Sequence, residues 1–288
     1  MSYDQAQRLR ERLKSLKTEA KSVAVMSGKG GVGKSNFSLN FSLALQQEKK
    51  RVLLFDLDIG MGNIDILIGE SSAYSIVDFF NQDMLLSEII SSGPNGLDYI
   101  SGGTGLGMIF SMDEEKFQRF LQQLGLLFKL YDYIVFDMGA GISEDSLRFL
   151  LSVDEIIVIT TPEPTSMTDA YAAIKNVCVN NRTIPFTIVV NRAFNKKVGE
   201  TTYKRLEQTI NQFLKREVSL LGTIPDDSTI MKAVIDQKPF ILFQPGCQAS
   251  KALKMISKNY LEKKNTIEKI QEEAPFISKL KHFFMKGR

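Results

Sequence analysis

Eight consecutive residues, Gly28, Lys29, Gly30, Gly31, Val32, Gly33, Lys34 and Ser35, carry the Gly-x-x-x-x-Gly-Lys-Ser spacing of a phosphate-binding loop. Glycines at these positions let successive backbone N–H groups turn toward phosphate oxygens. A helix starting at the end of the loop adds its positive pole to the same anion. Lys34 is expected to reach the β- and γ-phosphates, and Ser35 offers a hydroxyl to Mg²⁺; Asn36 carries the loop into the helix. The spacing implies a nucleoside triphosphate ligand.

Three carboxylates fit the same chemistry. Asp137 ends the apolar run 131–137 and is placed to hold Mg²⁺ directly or through a water. Asp56 and Asp58 flank Leu57 at the end of another apolar run, 51–56. Asp58 is read as the group orienting an attacking water. Asp56 either supports the metal shell or caps the following turn. No side chain reads as a covalent nucleophile, so hydrolysis would proceed by direct attack of water, accelerated by positioning and charge. Lys29 is extra to an ordinary phosphate loop: either a solvated surface charge or a cation directed at the nucleotide of a second subunit.

These residues need strands to present them. Runs 23–27, 51–56, 96–101, 131–137, 155–160, 186–191 and 218–222 read as strands, the third the weakest. Helical periodicity over 36–47, 117–130, 166–179 and 201–215 separates them. Strands apolar on both faces and alternating with helices predict an α/β fold, a doubly wound, mostly parallel sheet with helices on both faces. One such domain is expected over 22–262. The 288 residues, 43% hydrophobic and 24% charged, suffice for a core without metal or disulfide. Cys178 and Cys247 have no C-x-x-C spacing, which argues against a zinc site, and the single histidine, His282, excludes a Ser-His-Asp centre within the core. No run is long enough to span a bilayer.

Charge is uneven. Residues 1–21 carry six basic and three acidic side chains, and 275–288 carry four basic and none acidic, on a chain of net charge +3; the middle is therefore acidic by four. Asp4, Gln5, Ala6, Gln7, Arg8, Leu9 and Arg10 precede the first strand, and Ala6, Leu9, Leu13 and Leu16 form a thin apolar stripe of a charged helix. At the other end Phe276, Ile277, Leu280, Phe283 and Phe284 fall on one helix face among basic residues, behind Pro275. That pattern suits an anionic membrane surface or, equally, a last helix packed on its own core. The polar stretch 263–274 is read as a linker.

The loop with its second lysine, the Asp-Leu-Asp of residues 56–58 and the Asp-Met-Gly-Ala-Gly of 137–141 resemble the deviant Walker ATPases of the MinD/ParA class. Ile59 through Asp65 and the N-terminal Asp-Gln-Ala-x-x-Leu-Arg resemble more particularly the FlhG (YlxH/FleN) group of flagellar number regulators. The resemblance implies an ATPase that dimerises around ATP and Mg²⁺, with Lys29 acting across the dimer and Glu163 touching the partner's nucleotide. It implies Asn191 and Arg192 beside the adenine, where Asn191 could equally be a strand-end turn residue, and Pro225 and Asp226 shaping the base pocket. It also implies that Asp4, Gln5, Ala6, Leu9 and Arg10 stimulate the GTPase FlhF, that flagellar C-ring proteins are partners, and that the protein is cytoplasmic and peripheral at the inner face of the membrane. The other readings are a MinD-like division-site positioner, which lacks the N-terminal element, and a ParA-like DNA-partition ATPase. The acidic middle region argues against nucleic acid as a partner.

Overall fold

The computed structural model describes residues 19–58, 63–102, 113–181, 183–267 and 275–286. The N-terminal residues Asp4, Gln5, Ala6, Leu9 and Arg10 lie outside them, as does the turn 59–62. In chain order the elements are β1 (Lys21–Met26), α1 (Lys34–Gln47), β2 (Val52–Leu57), α2 (Asn63–Ile68), α3 (Ile76–Asn81), β3 (Ser91–Ser92), β4 (Asp98–Ile100), α4 (Glu114–Leu130), β5 (Tyr133–Met138), α5 (Glu144–Leu150) and β6 (Glu155–Thr160). They continue with α6 (Pro164–Asn180), β7 (Phe186–Ala193), α7 (Lys196–Leu214), β8 (Ser219–Pro225), α8 (Ser228–Ile235), α9 (Phe240–Phe243), α10 (Gln248–Ile267) and α11 (Phe276–Lys286).

The strands form one sheet in the order β3-β4-β2-β5-β1-β6-β7-β8. Every pairing is parallel except that of the short edge strand β3 with β4. All seven expected strands are present, and β3 is the one addition. From β1 the chain builds one side of the sheet through β2, β4 and β5 and then the other through β6, β7 and β8. β1 therefore stands at the reversal of strand order, where an open α/β sheet presents its ligand crevice.

Alternation along the strands divides the core between two faces. Ala24, Met26, Leu53 and Phe55 point into the layer beneath α4, α5 and α6. Val23, Val25, Val52 and Leu54 point into the layer beneath α1, α9 and α10. α4 shows why these sequences form covering helices. Phe117, Phe120, Leu121, Leu124, Leu127 and Phe128 recur at helical spacing and are all buried, while the Asp113 side chain caps the first turn by accepting from the Lys116 N–H. α10 runs through the expected domain end at residue 262, so the first part of the anticipated linker is helix.

The tail helix α11 resolves the two readings of its apolar face for the state described. Phe276, Leu280 and Phe284 are buried in the same layer as α4 and α5, with Ile277 and Phe283 partly buried against it. The Phe276 ring lies 5.0 Å from Phe128, 5.4 Å from Phe136 and 5.3 Å from Phe149, and Phe284 stacks on Phe117 at 3.5 Å. The face expected to meet a membrane is thus occupied by protein. The reason is a ready partner: four phenylalanine rings on α4, β5 and α5 form a groove of matching shape, and burying each large side chain is worth about 1.5–3 kcal/mol. Phe276→Ala is expected to lower unfolding stability by about 3–5 kcal/mol, read from the urea midpoint at unchanged slope.

Candidate active site

The loop between β1 and α1 is shaped by two glycines in particular. Gly33, at the cap of α1, has φ +90°, which a side chain tolerates poorly. At Gly28 an added Cβ would stand 2.1 Å from the Asp169 carbonyl carbon, so only glycine lets the loop pass this close to α6. Asn191, at the end of β7, donates its amide to the Val32 carbonyl at 2.8 Å and locks the loop from the far side. Its Oδ1 is buried without a partner among the described residues. Asn191 is therefore a buried clamp on the phosphate loop rather than a turn residue.

Lys34 points to the centre of the site. Its ammonium donates to Asp137 Oδ1 at 2.9 Å and to Ser35 Oγ at 3.2 Å, and lies 3.6 Å from Asp58 Oδ2. Asp56 and Asp137 are register partners on β2 and β5, so two fully buried carboxylates face each other on neighbouring strands. Burial first, and then the charge of Asp137, push the Asp56 carboxyl up to about 7. Asp56 also does what the turn reading assigned it: its Oδ1 accepts from the Asp58 N–H at 2.9 Å and its Oδ2 from the Ile64 N–H at 3.4 Å. Asp58 is more open and receives the Asn63 amide on Oδ2 at 2.9 Å.

Asp137 Oδ2 is buried without a hydrogen-bond partner among the described residues, and the Lys34 ammonium bonds both Asp137 Oδ1 and the Ser35 hydroxyl. An orphaned carboxylate oxygen beside a hydroxyl is a hard-oxygen donor set of the kind that suits Mg²⁺. Ser35 and Asp137 fit the metal directly; Asp56, already engaged by two backbone N–H groups, fits a supporting place. Sequence reading missed Ser38. Its hydroxyl donates to Asp137 Oδ1 at 2.8 Å, one helical turn beyond Lys34. The signal was the placement of Ser38 four residues after Lys34, on the same face of α1.

A cavity of about 820 Å³ opens beside the loop, lined by Gly33, Asn36, Asn191, Arg192, Asp226 and Phe240 among others. Three residues expected around the base, Asn191, Arg192 and Asp226, share its lining with Asn36 of the loop helix. Pro225 does not belong to it: it lines a separate groove of about 520 Å³ with Phe194 and Met255. β8 ends at Pro225, and it is the segment after it, Asp226, Asp227 and Ser228, that lines the cavity beside the loop. Lys29 lies at the open mouth, donating to Glu163 Oε2 at 2.7 Å and Thr165 Oγ1 at 3.1 Å. The hydrogen-bonded Lys29 ammonium holds the Glu163 carboxyl below its usual range.

Comparisons with known proteins identify the family and the fold. Residues 19–261 match the ParA family model, described as NUBPL iron-transfer P-loop NTPase. The chain is 30% identical to the antiactivator FleN of Pseudomonas aeruginosa over 82% of this chain and 84% of that protein. It is 34% identical to the flagellum site-determining protein YlxH of Helicobacter pylori, covering 84% and 82% respectively. In fold it is similar to MinD in the MinC:MinD cell division complex of Aquifex aeolicus, with a TM-score of 0.67 at 24% identity over 89% of this chain and all of that one.

The site's charge balance gives a direct expectation for Ser38. Ser38→Ala removes one of the two donors on a buried carboxylate oxygen and should cost about 1–3 kcal/mol of unfolding stability without nucleotide. Urea titration of the nucleotide-free protein measures it.

Proposed function

The chain belongs to the ParA/MinD family of P-loop ATPases, on the branch of FleN and YlxH, and we propose that it is a dimerising, membrane-cycling ATPase that sets flagellar number and placement. The observation that carries the reading is the position of Lys29. This cation stands outside its own phosphate site, a third exposed at the side chain, and is held by Glu163 and Thr165 at the open face. A second copy approaching that face would meet Lys29 and Glu163 first. The proposed ligand is ATP with Mg²⁺, which neutralises charge on the transferring phosphate. Within the chain, the loop N–H groups and Lys34 bind and orient the phosphates, Asp58 orients the attacking water, and Arg192 and Asp226 flank the base. Exchange of Lys29 from Glu163 to the partner's nucleotide joins the two copies, and hydrolysis parts them.

Membrane attachment in this reading uses α11, and it demands that the helix leave its groove. Releasing Phe276, Leu280 and Phe284 gives up roughly 5–9 kcal/mol of burial, which dimer formation and lipid together must offset. Two released tails on one dimer bind with raised effective concentration, which converts weak single-helix binding into stable attachment. Residues 1–21 carry the proposed FlhF-stimulating element, Asp4, Gln5, Ala6, Leu9 and Arg10, and flagellar C-ring proteins are the proposed further partners. The names of the relatives, a flagellar antiactivator and a flagellum site-determining protein, support the flagellar assignment.

Light scattering after size exclusion is expected to show an ATP-dependent dimer that Lys29→Ala cannot form; equal dimerisation of the variant would sink the proposed role of Lys29. Co-sedimentation with anionic vesicles should rise with ATP and vanish on removal of 275–288. A peptide of residues 1–21 should accelerate GTP turnover by FlhF, and an unchanged rate would remove that partner.

A further inference from the structure

Asp65, on α2, has no part in the chemistry above, yet three hydroxyls converge on it. Its Oδ1 accepts from Tyr99 at 2.9 Å and from Ser72 at 2.8 Å, and its Oδ2 accepts from Ser101 at 2.7 Å. Tyr99 and Ser101 are both buried, in and just past β4. Gly102 follows, where an added Cβ would stand 3.0 Å from Asp56 Cγ. The end of β4 is therefore fixed against the acids of β2.

α2 has six residues, too few to hold a helical conformation by its own backbone bonds. It is held from both sides. On one side its first residue, Asn63, donates to Asp58, and the Ile64 N–H donates to Asp56. On the other side stands the Asp65 cluster. A carboxylate that accepts three hydroxyls is strongly oriented, because each bond to a charged acceptor exceeds an ordinary hydrogen bond. Rotation of α2 about its axis would break the Asn63–Asp58 bond; the buried Ile64 and Ile68 side chains and the Ile64 N–H oppose it from the core, and the Asp65 cluster opposes it from the end of β4.

We propose that Asp65 is a positioning residue for ATP hydrolysis: by pinning α2 to the end of β4 it keeps the Asn63 amide on Asp58 Oδ2 and leaves Asp58 Oδ1 directed at the attacking water. The inference rests on the reading of Asp58 as the water-orienting group. It separates this short helix from the nucleotide pocket, to which Asp65 contributes nothing. Its loss should therefore act on turnover and leave binding intact.

The test compares Asp65→Ala, Tyr99→Phe, Asn63→Ala, the Asp65→Ala/Asn63→Ala double variant and Asp58→Ala in steady-state ATP turnover. Fluorescent-ATP affinity and urea midpoint are read on each. Asp65→Ala is expected to lower kcat about tenfold or more with affinity within about twofold, and Tyr99→Phe, which spares the fold and two of the hydroxyls, about threefold. Because Asp65 acts through Asn63, adding Asp65→Ala to Asn63→Ala should change kcat by less than about twofold. The proposal is overturned if Asp58→Ala is inactive while Asp65→Ala and Tyr99→Phe turn over like the wild type. It is equally overturned if the two losses multiply in the double variant, or if kcat falls only together with affinity. Full turnover by Asp58→Ala would instead remove the reading of Asp58, and this inference with it.

Discussion

The carboxyl edge of the sheet is organised around one buried ammonium. Lys34 is 6% exposed and is the counter-charge shared by Asp137 and Asp58, with the Asp56 carboxyl behind them. Taking a cation out of water costs several kcal/mol, and taking two neighbouring carboxylates out with it costs more. The protein meets that cost by geometry: strands β2 and β5 bring the acids into register, α1 begins at Lys34, and Ser38 adds a hydroxyl. Burial, before anything else, pushes the Asp56 carboxyl up to about 7, which limits the negative charge it adds beside Asp137. Phosphate and Mg²⁺ bring opposite charges to this centre, one for Lys34 and one for Asp137 Oδ2. Lys34 already bonds Asp137 and Ser35, so a phosphate that engages its ammonium exchanges one partner for another.

What the sequence made legible follows the range of each constraint. The phosphate loop, Lys34 and Ser35 are local, set by spacing within eight residues, and the structure has them at the head of α1 as read. Asp137 and Asp56 were readable because parallel strands buried on both faces leave continuous apolar runs, and an acid near the end of such a run stands out. Partners distant in sequence were not readable. The spacing of Ser38 four residues after Lys34 puts it on the site's side of the helix, but it does not name a partner 99 positions away. Asn191 could be placed near the loop only by resemblance, and its clamp on Val32 appears once β7 lies in the sheet. Pro225 is the last residue of β8 and lines the other groove, and where that strand ends is not legible in the run 218–222. Asp65 was visible only within the run 59–65, since its donors come from two later stretches, Ser72 and then Tyr99 with Ser101.

The tail shows a different limit. An apolar stripe at i, i+4 and i+8 says that a face will be buried but does not say against what. Lipid and a protein groove offer nearly the same transfer free energy to a phenylalanine ring. The structure answers for one state: Phe276 meets Phe128, Phe136 and Phe149, and Phe284 covers Phe117. Lys279 stands 4.0 Å from Asp154, whose other oxygen accepts from Ser22 at the start of the sheet. An ion pair at that distance contributes little, so the docked state rests on the rings. A face built of rings is equally at home in either surrounding, which is what a helix that exchanges between them requires.

The groove and the phosphate site are joined by a single peptide bond. Phe136, whose ring lies 5.4 Å from Phe276, immediately precedes Asp137 in β5. Strand alternation turns these two side chains to opposite faces, so one residue belongs to the tail's layer and the next to the ion cluster. Adjacency alone is not coupling; coupling needs an element with two arrangements that both sites bias. In the proposed cycle that element would be α11, docked as described here or released from the groove. Were it so, the link would be the shortest the fold offers, since Phe136, on the floor of the groove, is the chain neighbour of Asp137.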